Sequence, residues 1–200
     1  MGGIFLKKRV EGFYEEQQRE YFEMRLKEYN EMIFYLWKVG LNLALRVSDV
    51  LKITIKDAEF YIKKKQYLST DKKTSKKNHV VLNQNTLQAF QQALALRKQL
   101  GNPDNPYLFV GLGNRSKSFK SHLTRQTVFD AFKYIVDQEN LEIHIGTHSM
   151  RKTWGYLAYR KTGDIIKVMK RLNHSRPEVT MVYIGITDRD IDNLVADMNL

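Results

Sequence analysis

From about Tyr14 the apolar residues recur at intervals of three and four: Phe22, Leu26, Tyr29, Ile33 and Leu36. That spacing lines one helical face and predicts a buried stripe. The stripe reads as two helices with a break near Tyr29-Asn30, and Gly40 and Asn42 mark a turn region after them. The neighbours of Phe34-Tyr35-Leu36-Trp37 keep helical spacing, so the run reads as core rather than as a ligand platform. A short helix from Val47 to Ile53 follows, with Arg46 at its start. At Thr54-Ile55 a β region begins. Phe60-Tyr61-Ile62 and His79-Val80-Val81-Leu82 are rich in β-branched and aromatic residues and read as strands.

Caps and breakers set out the second half. Asn83 is a good N-cap for a helix through Leu100, closed by Gly101 and followed by Pro103. Another helix spans about Thr124 to Gln138. Thr147 looks like the N-cap of the next. Arg176-Pro177 opens one more, because proline fits the first helical position and holds the residue before it out of the α region. Beyond Tyr183, Thr187-Asp188-Arg189-Asp190 looks like a capping box. Ile191, Leu194, Val195 and Met198 then form the apolar side of a small helix over 187–200, which packs in cis or in trans. Residues 1–13 show no period and read as a flexible lead-in to one domain over 14–200. The expected fold class is α+β: mainly helical, with a small antiparallel sheet.

Two hundred residues, 42% of them hydrophobic, suit one domain with a core. No apolar run approaches the roughly 20 residues of a membrane span. Near the start, a short apolar run precedes Lys7-Lys8-Arg9, the reverse order of a secretion signal. With no cysteine there is no disulfide framework and no thiolate metal site, which fits a cytoplasmic protein. A net charge of +11 draws the domain towards polyanions, with double-stranded nucleic acid the first candidate. The charge is clustered. Lys63, Lys64, Lys65, Lys72, Lys73, Lys76 and Lys77 crowd a predicted hairpin, where they either contact phosphate or keep a sheet edge soluble. Arg115, Lys117, Lys120 and Arg125 surround the start of a helix, as phosphate contacts or as a solvated loop. Gly111-Leu112-Gly113-Asn114 lacks the third glycine of a dinucleotide cradle.

Candidate chemistry concentrates between Gly146 and Tyr183. His148 and Arg151 lie three apart at a helix start, which puts both on one face. Leu172-Asn173-His174-Ser175 follows, and Tyr183 comes nine residues after His174. This resembles the catalytic motif of the tyrosine recombinases, the phage integrase family: His-x-x-Arg, Leu-Gly-His-Ser, then tyrosine. The family's upstream Gly-Leu-Arg-(Ile/Val)-Ser-(Glu/Asp) is matched by Ala44-Leu45-Arg46-Val47-Ser48-Asp49, with alanine for glycine. Lys73-Thr74 matches its hairpin lysine best, with Lys72, Lys76 or Lys77 as alternatives.

Breaking a phosphodiester without metal needs an in-line nucleophile, charge stabilisation at the non-bridging oxygens and a proton for the departing oxygen. Tyr183 supplies a nucleophile that stores the bond as a phosphotyrosine. Arg46 and Arg151 each present a planar fork of donors to the phosphate. The resemblance implies the remaining roles: Lys73 as general acid, His174 as donor to a phosphate oxygen, His148 orienting or deprotonating Tyr183, and Asp49 holding the group in place. No ATP or other cofactor is implied. His144, His148 and His174 could offer imidazoles to a metal, but His144 and His148 straddle a turn and no carboxylate lies at ligand spacing, so none is expected. The resemblance also implies double-stranded DNA as partner, a tetramer on DNA formed from monomers in solution, and a bacterial or phage origin.

Two departures stand out. Asn173 replaces the glycine of Leu-Gly-His; asparagine tolerates the left-handed conformation that glycine supplies. Lys152 replaces the second histidine of His-x-x-Arg-His, outside the catalytic positions. Only 45 residues precede Arg46, too few for the family's separate DNA-clamping domain, so the chain is expected to be a short member or a fragment. Weaker binding and poor strand exchange would follow. The leading expectation is a site-specific DNA recombinase catalytic domain. The competing ones are a type IB topoisomerase-like nicking-closing enzyme, a non-catalytic DNA-binding regulator with the same fold, and a metal-dependent nuclease.

Overall fold

Asn30 divides the long apolar stripe. Its backbone is extended (φ −159°, ψ 102°) and its side chain accepts from the Ile33 amide, which starts a second helix at an angle to the first. The computed structural model describes residues 10–70, 77–113, 120–186 and 195–198. The elements are α1 (Glu16–Tyr29), α2 (Glu31–Asn42), α3 (Val47–Val50), α4 (Ile55–Lys64), β1 (Gln66–Thr70), β2 (Lys77–Val81), α5 (Gln84–Gln99), α6 (Arg125–Gln138), α7 (Ser149–Thr162), α8 (Ile165–Leu172) and α9 (Pro177–Ile184). The α+β expectation holds: helices dominate, and β1 and β2 pair antiparallel from Gln66 opposite Val81 to Thr70 opposite Lys77.

The main core gathers around α2. Trp37 is fully buried, with Phe22 of α1 at 4.9 Å, Phe132 of α6 at 5.1 Å and Phe13 at 5.7 Å between ring centroids. The same indole donates to the buried Glu23 carboxylate, which also accepts from Arg19 and Lys38. The buried carboxylate is tolerable here because three donors reach it, although Arg19 Nε is itself buried without a partner among the described residues. A small second cluster of Ala44, Val168, Leu172 and Ile184 joins the α3 approach to α8 and α9.

Several expectations need correction. Phe60-Tyr61-Ile62 is not a strand but lies within α4, which Thr54 and Asp57 start with a reciprocal capping box. Ala58 and Tyr61 form its buried face. At Thr54-Ile55 the β character is confined to one antiparallel bridge from Thr54 to Tyr107, the hairpin itself begins at Gln66, and His79-Val80-Val81 is strand as expected. Tyr29 is half exposed and stacks on Tyr134 rather than joining the buried stripe. Gly40 does not end a helix. It lies inside α2, where a Cβ would stand 2.6 Å from Met150 Sδ, so glycine permits close packing of α2 on α7. The cap of α7 is His148, one residue after Thr147. The caps at Asn83, Thr124 and Arg176 are as expected.

The lead-in also ends earlier than expected. Residues 10–14 are strapped across the start of α7. The Glu11 amide donates to the His144 carbonyl at 2.9 Å, and the Glu11 carboxylate accepts from the His144 amide at 2.8 Å. The Ser149 hydroxyl donates to the Glu11 carbonyl, and the Phe13 amide donates to Thr153 Oγ1. A Cβ on Gly12 would lie 2.6 Å from the Thr153 amide nitrogen. Phe13→Ala should therefore cost about 3–5 kcal/mol in urea unfolding, as for other buried phenylalanines. A loss below about 0.5 kcal/mol, usual for surface positions, would mean the strap is loose.

Candidate active site

Arg46 caps α3 from an extended backbone (φ −72°, ψ 147°), with its side chain exposed. The chain reaches it through Ala44, which is left-handed at φ 50°, the position where the resembled motif has glycine. That turn points the Ala44 carbonyl at α7. Arg151, only 6% exposed, donates from Nη1 to this carbonyl at 2.6 Å and from Nη2 to the Leu172 carbonyl at the end of α8. Arg171 holds the neighbouring Leu43 carbonyl. Two guanidinia from successive helices thus fix the loop that presents Arg46.

Asn173 closes α8 in the left-handed conformation (φ 51°, ψ 45°), as its tolerance for that region allows. The chain then turns so that His174 Nδ1 lies 3.1 Å from Thr180 Oγ1, a buried hydroxyl of α9. Tyr183 sits on the last turn of α9. Its hydroxyl is 3.3 Å from His148 Nδ1, and its ring stands edge-on to His174 with centroids 4.8 Å apart. Lys152 adds a contact that the sequence did not signal. Its ammonium lies 4.5 Å from the Tyr183 ring centroid and also donates to the Tyr183 backbone carbonyl.

The electrostatics follow from this crowding. Burial pulls the Arg151 guanidinium down to about 10; nearby Tyr183 and Asp49 oppose that shift, whereas Arg46 adds to it. Burial raises the Tyr183 phenol, while Arg151 and Arg46 act to lower it. Burial and then the charges of Arg151, Arg46 and Lys152 push both imidazoles below their usual value. Arg125 contributes to the shift at His148, which places the first residue of α6 within reach of the site.

Five of the six predicted catalytic positions therefore converge: Arg46, His148, Arg151, His174 and Tyr183. The sixth, Lys73, lies outside the described residues with Lys72, Lys76, Arg115 and Lys117, and of Lys77 only the backbone in β2 is described. Lys120 is exposed ahead of α6. Asp49 acts on Arg151 through its charge. Among the described residues, no group of three or more His, Asp or Glu is placed to hold a metal ion. No described helix is long and apolar enough to cross a membrane.

A phenol set between two neutral imidazoles and two guanidinia, on this helical scaffold, defines a catalytic domain of the tyrosine recombinase class. Comparison with known proteins agrees. The phage integrase family profile matches residues 6–189, and the chain belongs to that family. It is 33% identical over 159 residues to the probable integrase/recombinase YoeC of Bacillus subtilis, covering 80% of each chain. It is 28% identical over 169 residues to the tyrosine recombinase XerC of Caldanaerobacter subterraneus, covering 84% of this chain but 45% of that protein. Among solved structures, XerA recombinase superposes with a TM-score of 0.71 at 17% identity, over 96% of this chain and 67% of that one. The catalytic domain of bacteriophage HP1 integrase gives 0.58 at 16% identity, over 96% and 97%.

The lowered imidazole values set a pH dependence. The folded state resists protonation at His148 and His174 while the unfolded chain does not, so the unfolded state binds more protons below pH about 6.5. Stability of the free protein should be full above that pH and fall as pH drops through the lowered folded-state values. Replacing both histidines by glutamine should flatten this part of a urea-midpoint profile; an unchanged profile would contradict the shifts.

Proposed function

We propose that this chain cleaves and rejoins DNA strands at specific sites through a 3′-phosphotyrosyl intermediate. The supporting observation is the docking of the Tyr183 hydroxyl against His148 within the field of Arg46 and Arg151. In the proposed step, Tyr183 Oη attacks the scissile phosphorus and the 5′ oxygen departs with a proton. Arg46 and Arg151 hold the non-bridging oxygens, His174 donates to one of them, and His148 accepts the phenolic proton. Lys73, or a lysine beside it on the hairpin, supplies the proton to the leaving oxygen. Because the phosphate ester is conserved, a 5′ hydroxyl from a partner strand reverses the step without ATP.

The partner is double-stranded DNA. Structural neighbours include a XerH recombinase bound to its difH substrate and a Tn1549 transposon integrase bound to circular-intermediate DNA. Strand exchange requires several protomers on one DNA, and we place a tetramer there, assembled from monomers. Lys120 and Arg125 would track the backbone beside the site. Such a substrate puts the protein with the nucleoid in the bacterial cytoplasm.

Nicked duplexes tiled across the DNA flanking the gene provide the test, incubated in EDTA and resolved on denaturing gels. At least one duplex should trap a protein–DNA adduct, and Tyr183→Phe should abolish it. Arg151→Ala should slow trapping by about 10²–10³-fold, the usual loss on removing one preorganised donor. Retained binding with no adduct on any duplex would instead fit a DNA-binding regulator. Arg125→Ala should weaken binding uniformly across sequences and lower the salt slope by about one.

A further inference from the structure

The position where the resembled motif carries a second histidine holds Lys152, and the mechanism above leaves it unused. We infer that Lys152 is a positioning residue, a latch that keeps the nucleophile helix docked on its own domain. This rests on the reading of Tyr183 as nucleophile.

The helix α9 is short and held from one side. Thr180 and Ile184 are its buried residues, whereas Val179 and Val182 on the outer face are 40% and 55% exposed. Ile184 reaches α7 only because Gly155 leaves room: a Cβ there would stand 2.7 Å from Ile184 Cγ2. So modest an apolar contact leaves the helix among the more easily opened parts of the fold. Lys152 projects from α7 between Arg151 and that contact. Its ammonium bonds the Tyr183 carbonyl in the last turn, where a cation is favoured by the helix dipole, and stands over the ring of the same residue. One side chain thus fixes both backbone and aromatic plane of Tyr183. Its charge also depresses His148 and His174, so it stands within the same electrostatic group.

Lys152→Met keeps the length and apolar stem but removes the cation; Lys152→Arg restores a cation and donors. Hydrogen exchange of the DNA-free protein should show the Val182, Tyr183 and Ile184 amides exchanging about tenfold faster or more in Lys152→Met, with α7 and α8 unchanged. On the nicked duplex that traps the parent protein, the trapping rate at saturating DNA should fall about tenfold or more, because a displaced nucleophile loses its near-attack geometry. The Kd for DNA should stay within about threefold, and Lys152→Arg should recover both readouts. Unchanged α9 exchange in Lys152→Met overturns the latch, as does loss of protection spread over α7 and α8, or a Lys152→Arg variant as impaired as Lys152→Met. If the parent traps no duplex, the recombinase reading fails, but the exchange measurement still decides the latch.

Discussion

The buried guanidinium of Arg151 is the constraint on which the site depends. Taking such an ion from water costs several kcal/mol, and two backbone carbonyls return only part of it. The fall of its pKa to about 10 shows how much solvation it has lost. Yet the two carbonyls it holds belong to the turn before Arg46 and to the end of α8 before His174. One interaction therefore sets the placement of two other site residues. It also leaves an oriented cation without a bonded carboxylate among its described partners, and a phosphate entering the site would meet charge already desolvated and aimed.

Both carbonyls sit where they do because of left-handed residues. Ala44 and Asn173, at φ 50° and 51°, stand where the resembled motifs have glycine. Asparagine visits that region at little expense, whereas alanine gives up about 1–2 kcal/mol. The alanine methyl is fully buried against Val168, Leu172 and Ile184, and burying one such group returns about 0.8 kcal/mol. Alanine for glycine at this turn therefore keeps a net cost of up to about 1 kcal/mol, which the burial offsets only in part. The same methyl helps to pack the cluster that supports α9.

Features carried by local chemistry were legible in the sequence. Asn83, Thr124 and Pro177 mark helix starts through hydrogen-bonding side chains or a fixed φ, and the spacing of His148, Arg151, His174 and Tyr183 survives into space. At Phe60-Tyr61-Ile62, β-propensity pointed the wrong way. The capping pair Thr54 and Asp57, also present in the sequence, fixes the helix that packing of Ala58 and Tyr61 completes. The strap at residues 10–14 was hidden for another reason. Its partners lie more than 130 positions away, and irregular backbone that bonds so far along the chain leaves no period. Lys152 was illegible because a lysine on a helix ordinarily reads as a solvated face, and only the approach of α9 gives it two partners.

The protonation pattern bears on how binding could lead to attack. In the free protein, burial and the neighbouring cations keep both imidazoles from charging, while burial holds the Tyr183 proton in place. A phosphodiester between Arg46 and Arg151 would offset the charge that depresses the histidines. His148, already 3.3 Å from the phenol, would then become a better proton acceptor when substrate is present. The arginines would at the same time lose part of their pull on the phenol, so direct ionisation of Tyr183 would become harder. In the proposed reaction, electrostatics would thus favour transfer of the phenolic proton to His148 during attack over a phenolate formed beforehand. On this argument the geometry of one hydrogen bond matters more than the resting acidity of the tyrosine.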